Sequence, residues 1–181
     1  MIDADHLARI PARTEDGLLN AFIECPKGNT HKIDLDKKLG IFRWAIELPE
    51  GLTFPANFGF IPATLAEDGD ALDVMVLSGG ALPSGTLVAV RPVAILRLEQ
   101  EENGKMVRND RVVGVPPLSQ TFGHVHKLAD LRDTMMWELG VFFRSYNQLI
   151  DRKVELLDPG DEQEAAELAE MAIAAKDFAN G

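Results

Sequence analysis

Three aspartates within six positions lie directly before an apolar run. Asp68, Asp70 and Asp73 precede the segment Val74-Met75-Val76-Leu77, whose composition is that of a buried strand. Carboxylates that crowd beside a low-dielectric core repel one another and resist desolvation, so such a cluster either faces water or binds cations. Oxygen ligands suit hard ions, with Mg²⁺ first and Mn²⁺ or Ca²⁺ next. The segment alone is therefore compatible with two alternatives, a solvated Asp-Gly turn before a strand and a metal site.

Two further segments flank the aspartates. The run Phe54-Pro55-Ala56-Asn57-Phe58-Gly59-Phe60-Ile61-Pro62 lies upstream, and the segment from Pro83 to Val93, ending in Arg91-Pro92-Val93, lies downstream. In this order the three segments resemble the soluble inorganic pyrophosphatases of the family I type. The pattern of that family is aromatic-Pro-x-Asn-Tyr-Gly-aromatic-Ile, then Asp-Gly-Asp-x-x-Asp-Val, then a strand ending in Arg-Pro-Val-Gly. The resemblance covers about residues 20–155, and it is specific because all three segments match in order.

The spacing of apolar residues predicts strands in the middle of the chain and helices at its end. Alternation and turn residues predict these strands: Leu18–Cys25, His31–Leu35, Ile41–Leu48, Val74–Leu77, Leu87–Leu98 and Arg111–Val115. Glu99–Asn109 is predicted to be a polar hairpin loop with Asn103-Gly104 at its tip. Helical spacing predicts helices over Leu131–Ile150 and Asp161–Phe178.

Short strands at close spacing favour a small closed barrel. The resemblance implies a mainly β fold with α-helices, in which a five-stranded OB-like closed β-barrel is flanked by two C-terminal helices. We expect a single inorganic pyrophosphatase-like domain over residues 1–181, with residues 1–19 as an N-terminal extension and residues 161–181 as the C-terminal helix. A chain of this length can bury a sizeable core.

The chain is acidic, with a formal net charge of −11 at pH 7. This charge argues against nucleic acid and anionic membranes as partners, because both would require a basic face. The single cysteine, Cys25, excludes an internal disulfide and suits a reducing compartment, and the first residues lack the basic and apolar regions of a signal peptide. These features agree with a cytoplasmic enzyme, and the resemblance implies a small anionic substrate, pyrophosphate. The resemblance adds a homo-oligomer, since bacterial relatives often form hexamers.

The resemblance assigns the acidic residues to metal binding and proton transfer. Asp68 and Asp73 match the ligands of an activating metal pair, and Asp70, itself close to the metals, matches the carboxylate that accepts a proton from the attacking water. Glu24 and Asp34 match two further acidic positions that reach the metals, partly through water. Mg²⁺ is the expected cofactor, with Mn²⁺ as a substitute. This division into metal ligands and a proton acceptor makes chemical sense. Cations lower the pKa of a shared water, and a nearby carboxylate orients that water for attack on phosphorus.

The resemblance assigns cationic and hydroxyl side chains to the substrate. Lys32 matches a lysine that holds a phosphate, Arg111 stands where the family usually has a lysine, and Tyr146 matches a tyrosine that donates a hydrogen bond to phosphate. An acidic site can hold pyrophosphate only if metal ions invert the local field. The implied reaction is Mg²⁺-dependent hydrolysis of inorganic pyrophosphate to two phosphates by a metal-activated water.

Several positions depart from the family pattern. Gln100 and Asn109 replace two aspartates that bring in the metal accompanying the substrate, and Asn109 stays a candidate ligand through its neutral oxygen. Ile46 replaces a phosphate-binding arginine, Phe58 replaces a tyrosine and Asn147 replaces a lysine. Neighbouring acidic residues could substitute for the lost ligands after a shift of register, and two cations could fold back over the site. The acidic residues are Glu99, Glu101, Glu102 and Asp110, and the two cations are Lys105 and Arg108.

The losses leave two alternatives to an efficient pyrophosphatase. One is a degenerate relative that binds divalent metal and phosphate but has weak or altered hydrolase activity. The other is an OB-type binding module without chemistry. The net charge disfavours this last alternative, because a surface for single-stranded nucleic acid needs basic residues and aromatic stacking.

Overall fold

The computed structural model describes residues 10–102 and 104–180. Residues 1–9 of the expected N-terminal extension and Asn103 at the predicted hairpin tip therefore lie outside the described residues. The strands, in chain order, are β1 (Leu19–Cys25), β2 (His31–Asp36), β3 (Ile41–Glu47), β4 (Asn57–Phe60), β5 (Asp73–Val76), β6 (Leu87–Leu96), β7 (Leu98–Glu102), β8 (Lys105–Arg108), β9 (Arg111–Val115) and β10 (Val154–Leu156). The helices are a 3₁₀ turn at Leu128–Asp130, α1 (Met135–Gln148) and α2 (Glu162–Asn180).

Five of these strands close into a barrel in the spatial order β1-β4-β5-β9-β6. β5 and β9 run parallel, with Val74 opposite Val112, and the other neighbouring pairs of the barrel are antiparallel. The parallel register places the first residues of β5 and β9 side by side at one edge of the barrel. Those residues are Asp73 and Arg111. The predicted five-stranded closed barrel with two C-terminal helices is confirmed.

Two hydrophobic clusters hold the helices against the barrel. Alternate side chains of β5 divide between them, with Met75 in the α1 cluster and Val74 and Val76 in the α2 cluster. The α2 helix packs closely because its buried side chains are small, and these are Ala165, Ala169 and Ala172. Within the described part of the chain, no helix is long and apolar enough to cross a membrane.

The local structure differs from the predictions mainly in short and polar segments. β4 and β10 were not predicted, because β4 has four residues and contains Gly59, while β10 has only three residues. The strand predicted to reach Leu98 ends at Leu96. The segment 99–109, predicted as a loop, contributes instead to the β7–β8 hairpin, which β10 extends into a three-stranded sheet. α1 begins at Met135 and not at Leu131, because Leu131 closes the 3₁₀ turn in an extended conformation.

Candidate active site

One cavity of about 430 Å³ lies at the barrel edge where β5 and β9 begin. All nine residues predicted to bind metal, activate water or bind substrate line this cavity. They are Glu24, Lys32, Asp34, Asp68, Asp70, Asp73, Asn109, Arg111 and Tyr146. They come from β1, β2, β5, β9, α1 and the connecting turns, so only the closed barrel brings them together. Their roles remain predictions at this point.

The Asp-Gly-Asp segment forms a tight turn that is also a wall of the cavity. The amide of Gly69 donates to the carbonyl of Ala66 at 3.0 Å, and the amide of Ala66 donates to the carbonyl of Asp70 at 2.7 Å. Gly69 has a φ of +88°, which a side chain would strain. The amide of Asp70 also donates to Oδ1 of Asp68 at 3.1 Å. The turn leaves the carboxylates of Asp68 and Asp70 at the cavity, so it is compatible with both alternatives, a solvated Asp-Gly turn and a metal site.

Asp73 and Arg111 form an ion pair in the cavity. Nε of Arg111 lies 3.3 Å from Oδ2 of Asp73, and Nη1 of Arg111 donates to the carbonyl of Asn109 at 2.7 Å. The guanidinium also lies 4.1 Å from the centre of the Phe143 ring. Burial raises the pKa of Asp73 to about 6, although the charge of Arg111 opposes this increase. Nε of Arg111 is buried and has no hydrogen-bond acceptor of suitable geometry among the described residues.

Two further carboxylates lie on the β1–β2 side of the cavity. Oε1 of Glu24 accepts a hydrogen bond from the amide of Leu35 at 2.8 Å. Burial raises the pKa of Glu24 to about 7, and the negative charges of Asp34 and Asp73 add to the increase. Nζ of Lys32 lies 2.8 Å from Oδ1 of Asp34. Burial alone would lower the pKa of Lys32, but the hydrogen bond and charge of Asp34 outweigh it, so the pKa is raised.

α1 supplies an aromatic wall that carries the only tyrosine of the sequence. Tyr146 stacks on Phe142 with 6.3 Å between ring centres, and burial raises the pKa of its hydroxyl, which keeps the phenol protonated and able to donate. Phe58 packs against Phe143 in the same wall, with 5.7 Å between ring centres. Asn147 is buried, and its Nδ2 donates to the carbonyl of Phe143 at 2.8 Å. Asn147 therefore serves the helix and offers no charge to the cavity.

Gln100, in the middle of β7, and Asn109, directly after β8, both line the cavity. Gln100 is buried, with 4% of its surface exposed. Because successive side chains of a strand alternate, a cavity-facing Gln100 directs Glu99 and Glu101 to the opposite face. Oε2 of Glu101 lies 3.8 Å from Nζ of Lys153 on that face. Glu99 and Glu101 therefore do not take the place of the lost ligands in this structure.

Asp110 and the loop cations also turn away from the cavity. Nη2 of Arg108 donates to Oδ2 of Asp110 at 2.6 Å, and the amide of Leu98 donates to Oδ1 at 3.2 Å. Neither Lys105 nor Arg108 lines the cavity, so neither cation folds over it in this structure. The remaining candidate, the side chain of Glu102, lies outside the described side chains.

Two cavity cations were missed by the sequence analysis. Lys37 belongs to the turn between β2 and β3, and Arg152 follows the end of α1. Nζ of Lys37 lies 5.4 Å from the centre of the Phe60 ring. Neither residue belongs to a motif of the pattern, and neither turn has a periodicity that would predict the direction of its side chains.

The donor types and the electrostatics of the cavity fit a hard divalent cation. The candidate ligands are oxygen donors, and the pKa values of Glu24 and Asp73 are raised because burial is not compensated by enough positive charge. Among residues 10–102 and 104–180, no three His, Cys, Asp or Glu side chains already converge around a single point. Asp34 and Asp73 are held instead by the internal cations Lys32 and Arg111. Rotation of these side chains would be needed to enclose an ion.

A sequence model of the inorganic pyrophosphatase family matches residues 21–177, which is most of the chain. The chain belongs to this family. The inorganic pyrophosphatase of Nostoc sp. is 33% identical over 169 residues, which cover 93% of this chain and 98% of the relative. The inorganic pyrophosphatase of Thermus thermophilus is 36% identical over 136 residues, covering 75% of each chain. The family I resemblance predicted from the three segments is confirmed.

Solved structures of inorganic pyrophosphatases share the fold over nearly the whole chain. The crystal structure from Thermus thermophilus superposes with a TM-score of 0.87 at 31% identity, covering 94% of this chain and 98% of that one. The structure from Helicobacter pylori superposes with a TM-score of 0.84 at 28% identity, covering 93% and 99%. The identification therefore extends to the barrel and to both helices.

Proposed function

We propose that the protein hydrolyses inorganic pyrophosphate to two phosphates with the help of a divalent cation, Mg²⁺ first and Mn²⁺ as a substitute. The observation that carries this proposal is the single cavity lined by all nine predicted residues in a member of the inorganic pyrophosphatase family. A cytoplasmic homo-oligomer, with the hexamer as the expected form, stays a prediction.

The acidic wall would hold the cation. Asp68 and Asp73 are the principal ligands in this proposal, with Asp70, Asp34 and Glu24 nearby and Asn109 as a neutral oxygen donor; these side chains share the cavity. A bound cation would lower the pKa of water and neutralise charge on the phosphates. The cavity is short of positive charge, because among the described residues five carboxylates and four cations line it. A multiply charged anion therefore requires added positive charge to bind.

Asp70 is the proposed proton acceptor for the attacking water. It lies on the exposed turn before β5, where its backbone is fixed by the hydrogen bonds of the Asp-Gly-Asp segment. A carboxylate in that position can orient a water and take its proton during in-line attack on phosphorus. Because the backbone is fixed while the carboxylate faces the cavity, the residue can act without rearrangement of the turn.

Three side chains of the opposite walls would bind the phosphates. Arg111 lines the cavity, and its guanidinium is held beside Asp73 by an ion pair that lacks good hydrogen-bond geometry, so this cation could also turn toward an anionic oxygen. Lys32 supplies a second cation, and the protonated hydroxyl of Tyr146 supplies a neutral donor. Charge-assisted hydrogen bonds of this kind are shorter and stronger than neutral ones.

A weak or altered hydrolase is the second candidate, and one observation favours it. Gln100 and Asn109 line the cavity where the resemblance implies carboxylates, and the neighbouring acids Glu99, Glu101 and Asp110 do not replace them. Neutral amides contribute no charge to a metal that accompanies the substrate. Low turnover with intact metal binding is the result that distinguishes this candidate.

Steady-state phosphate release tests the proposal. Pyrophosphate with Mg²⁺ or Mn²⁺ should be hydrolysed in preference to nucleotides and sugar phosphates. Asp70→Asn should lower kcat by about 100-fold or more, because the proton acceptor is lost. Glu67→Gln is the matched control, since Glu67 is an exposed acid of the same turn that does not line the cavity. No release from pyrophosphate with either ion, or equal activity in the two variants, would contradict the proposal.

A further inference from the structure

Arg152 is a cavity cation without a fixed partner. It lines the cavity, yet within residues 10–102 and 104–180 its guanidinium makes no hydrogen bond or ion pair. The other cavity cations are each engaged: Lys32 with Asp34 at 2.8 Å, Arg111 with Asp73 at 3.3 Å, and Lys37 over the Phe60 ring at 5.4 Å. Arg152 is therefore the positive charge that an incoming anion could engage without breaking an internal contact.

The backbone holds Arg152 at the rim of the cavity. Its amide donates to the carbonyl of Asn147 at 3.0 Å, so the residue is tied to the last turn of α1. The preceding residue, Asp151, has a φ of +55°, which reverses the chain direction after the helix. Immediately downstream, the carbonyl of Lys153 accepts from the amide of Glu101 at 2.9 Å, and β10 pairs with β7. The turn is thus anchored on both sides, while its arginine side chain remains exposed to solvent.

The charge of Arg152 reaches the proposed substrate side of the cavity. The charges of Lys32, with the larger effect, and of Arg152 both act on the hydroxyl of Tyr146, where they oppose the increase in pKa that burial causes. Asn147, one helical position beyond Tyr146, is neutral and turned into the helix, so among the described residues α1 itself presents no cation to the cavity. A guanidinium is always charged and presents two parallel N–H donors to phosphate oxygens.

We propose that Arg152 binds a phosphate group of the substrate and supplies, from the rim, positive charge that the neutral Asn147 does not. The inference rests on the proposed function, because it assigns a further substrate-binding residue to the same cavity. An exposed arginine is also free to follow the departing phosphate. Arg152 therefore contributes to the binding of substrate and product and does not position the attacking water.

Binding of methylenediphosphonate, a non-hydrolysable pyrophosphate analogue, tests this assignment in the presence of Mg²⁺. Calorimetric titration of Arg152→Gln should show affinity reduced by about tenfold, with a weaker dependence on salt, because one charge-assisted contact is lost. Arg152→Lys should recover part of the affinity. Lys153→Gln is the matched control, since Lys153 is the adjacent exposed cation that does not line the cavity, and it should bind within about twofold of wild type. Thermal melting should be the same for all four proteins.

Steady-state kinetics with pyrophosphate provide the second readout. In Arg152→Gln, KM should rise by about tenfold while kcat changes by less than about threefold. Unchanged analogue affinity in Arg152→Gln, or an equal loss in Lys153→Gln, would overturn the assignment while leaving pyrophosphate hydrolysis by the wild type intact. Conversely, a wild type that releases no phosphate but loses analogue affinity through Arg152→Gln would overturn the proposed function and support the anion site.

Discussion

Glu24→Gln should remove a pH dependence from the stability of the metal-free protein. The pKa of Glu24 is about 7 in the folded chain and 4.5 in its ordinary state, with burial as the main cause. Between these values the folded chain holds a proton that the unfolded chain releases. The stabilising contribution is therefore fully present below pH 4.5 and is lost as pH rises through about 7. Glutamine can still accept the hydrogen bond from the Leu35 amide, so the substitution removes the charge and keeps the contact.

The raised pKa sets the size of the effect. Each unit of difference between the folded and unfolded pKa values corresponds to about 1.4 kcal/mol. Ionised Glu24 therefore destabilises the folded state by about 3 kcal/mol at pH 8. About 1 kcal/mol of that change falls between pH 6 and pH 8. Asp73 contributes mainly below this window, because its raised pKa is about 6. The Glu24→Gln variant should therefore be more stable than wild type at pH 8, and the advantage should shrink toward pH 5.

Urea unfolding in EDTA at pH 5, 6, 7 and 8 measures this dependence. Glu155→Gln is the control, because Glu155 is an exposed strand glutamate outside the cavity. Added Mg²⁺ should stabilise wild type at pH 8 more than Glu24→Gln, since a cation bound to the folded state stabilises it by mass action. An equal pH slope in wild type and Glu24→Gln, or a variant less stable at pH 8, would refute the reasoning.

Three further predictions concern metal, activity and packing. Asp73→Ala should abolish or weaken by about tenfold the strongest Mn²⁺ site in calorimetry, and an unchanged titration of the folded variant would contradict its role as a ligand. Gln100→Asp combined with Asn109→Asp should raise pyrophosphatase activity by about tenfold, roughly 1.4 kcal/mol of barrier, if the missing negative charge limits turnover. No gain in activity would show that the missing charge at these two positions does not limit turnover. Gly59→Ala should destabilise the fold by about 3 kcal/mol or more in urea unfolding, because its Cβ would overlap the carbonyl oxygen of Phe22; a near-neutral change would contradict the close strand approach.

The family, the closed barrel and the residues that line the cavity could largely be predicted from the sequence. The order of three motif segments carried the family, and alternating apolar residues predicted most barrel strands within one or two residues. Asp68, Asp70 and Asp73 were recognisable locally because carboxylates beside an apolar strand are costly without a purpose. The more distant Glu24 and Tyr146 were placed only through the resemblance, since residues far apart in the chain carry no local sign of sharing a cavity.

Only the tertiary structure decided which polar side chains face the cavity. Glu99 and Glu101 were plausible substitutes for lost ligands until the register of β7 turned Gln100 inward, and a strand cannot present neighbouring residues to the same face. Asp110 was equally plausible until Arg108 was found to hold it. The sequence could not predict that Arg152 lines the cavity, because its position depends on how one turn joins α1 to the three-residue strand β10. The local sequence determines which residue types are available to the site. The direction in which each side chain points follows from strand pairing and chain reversal, which depend on contacts between segments distant in the chain.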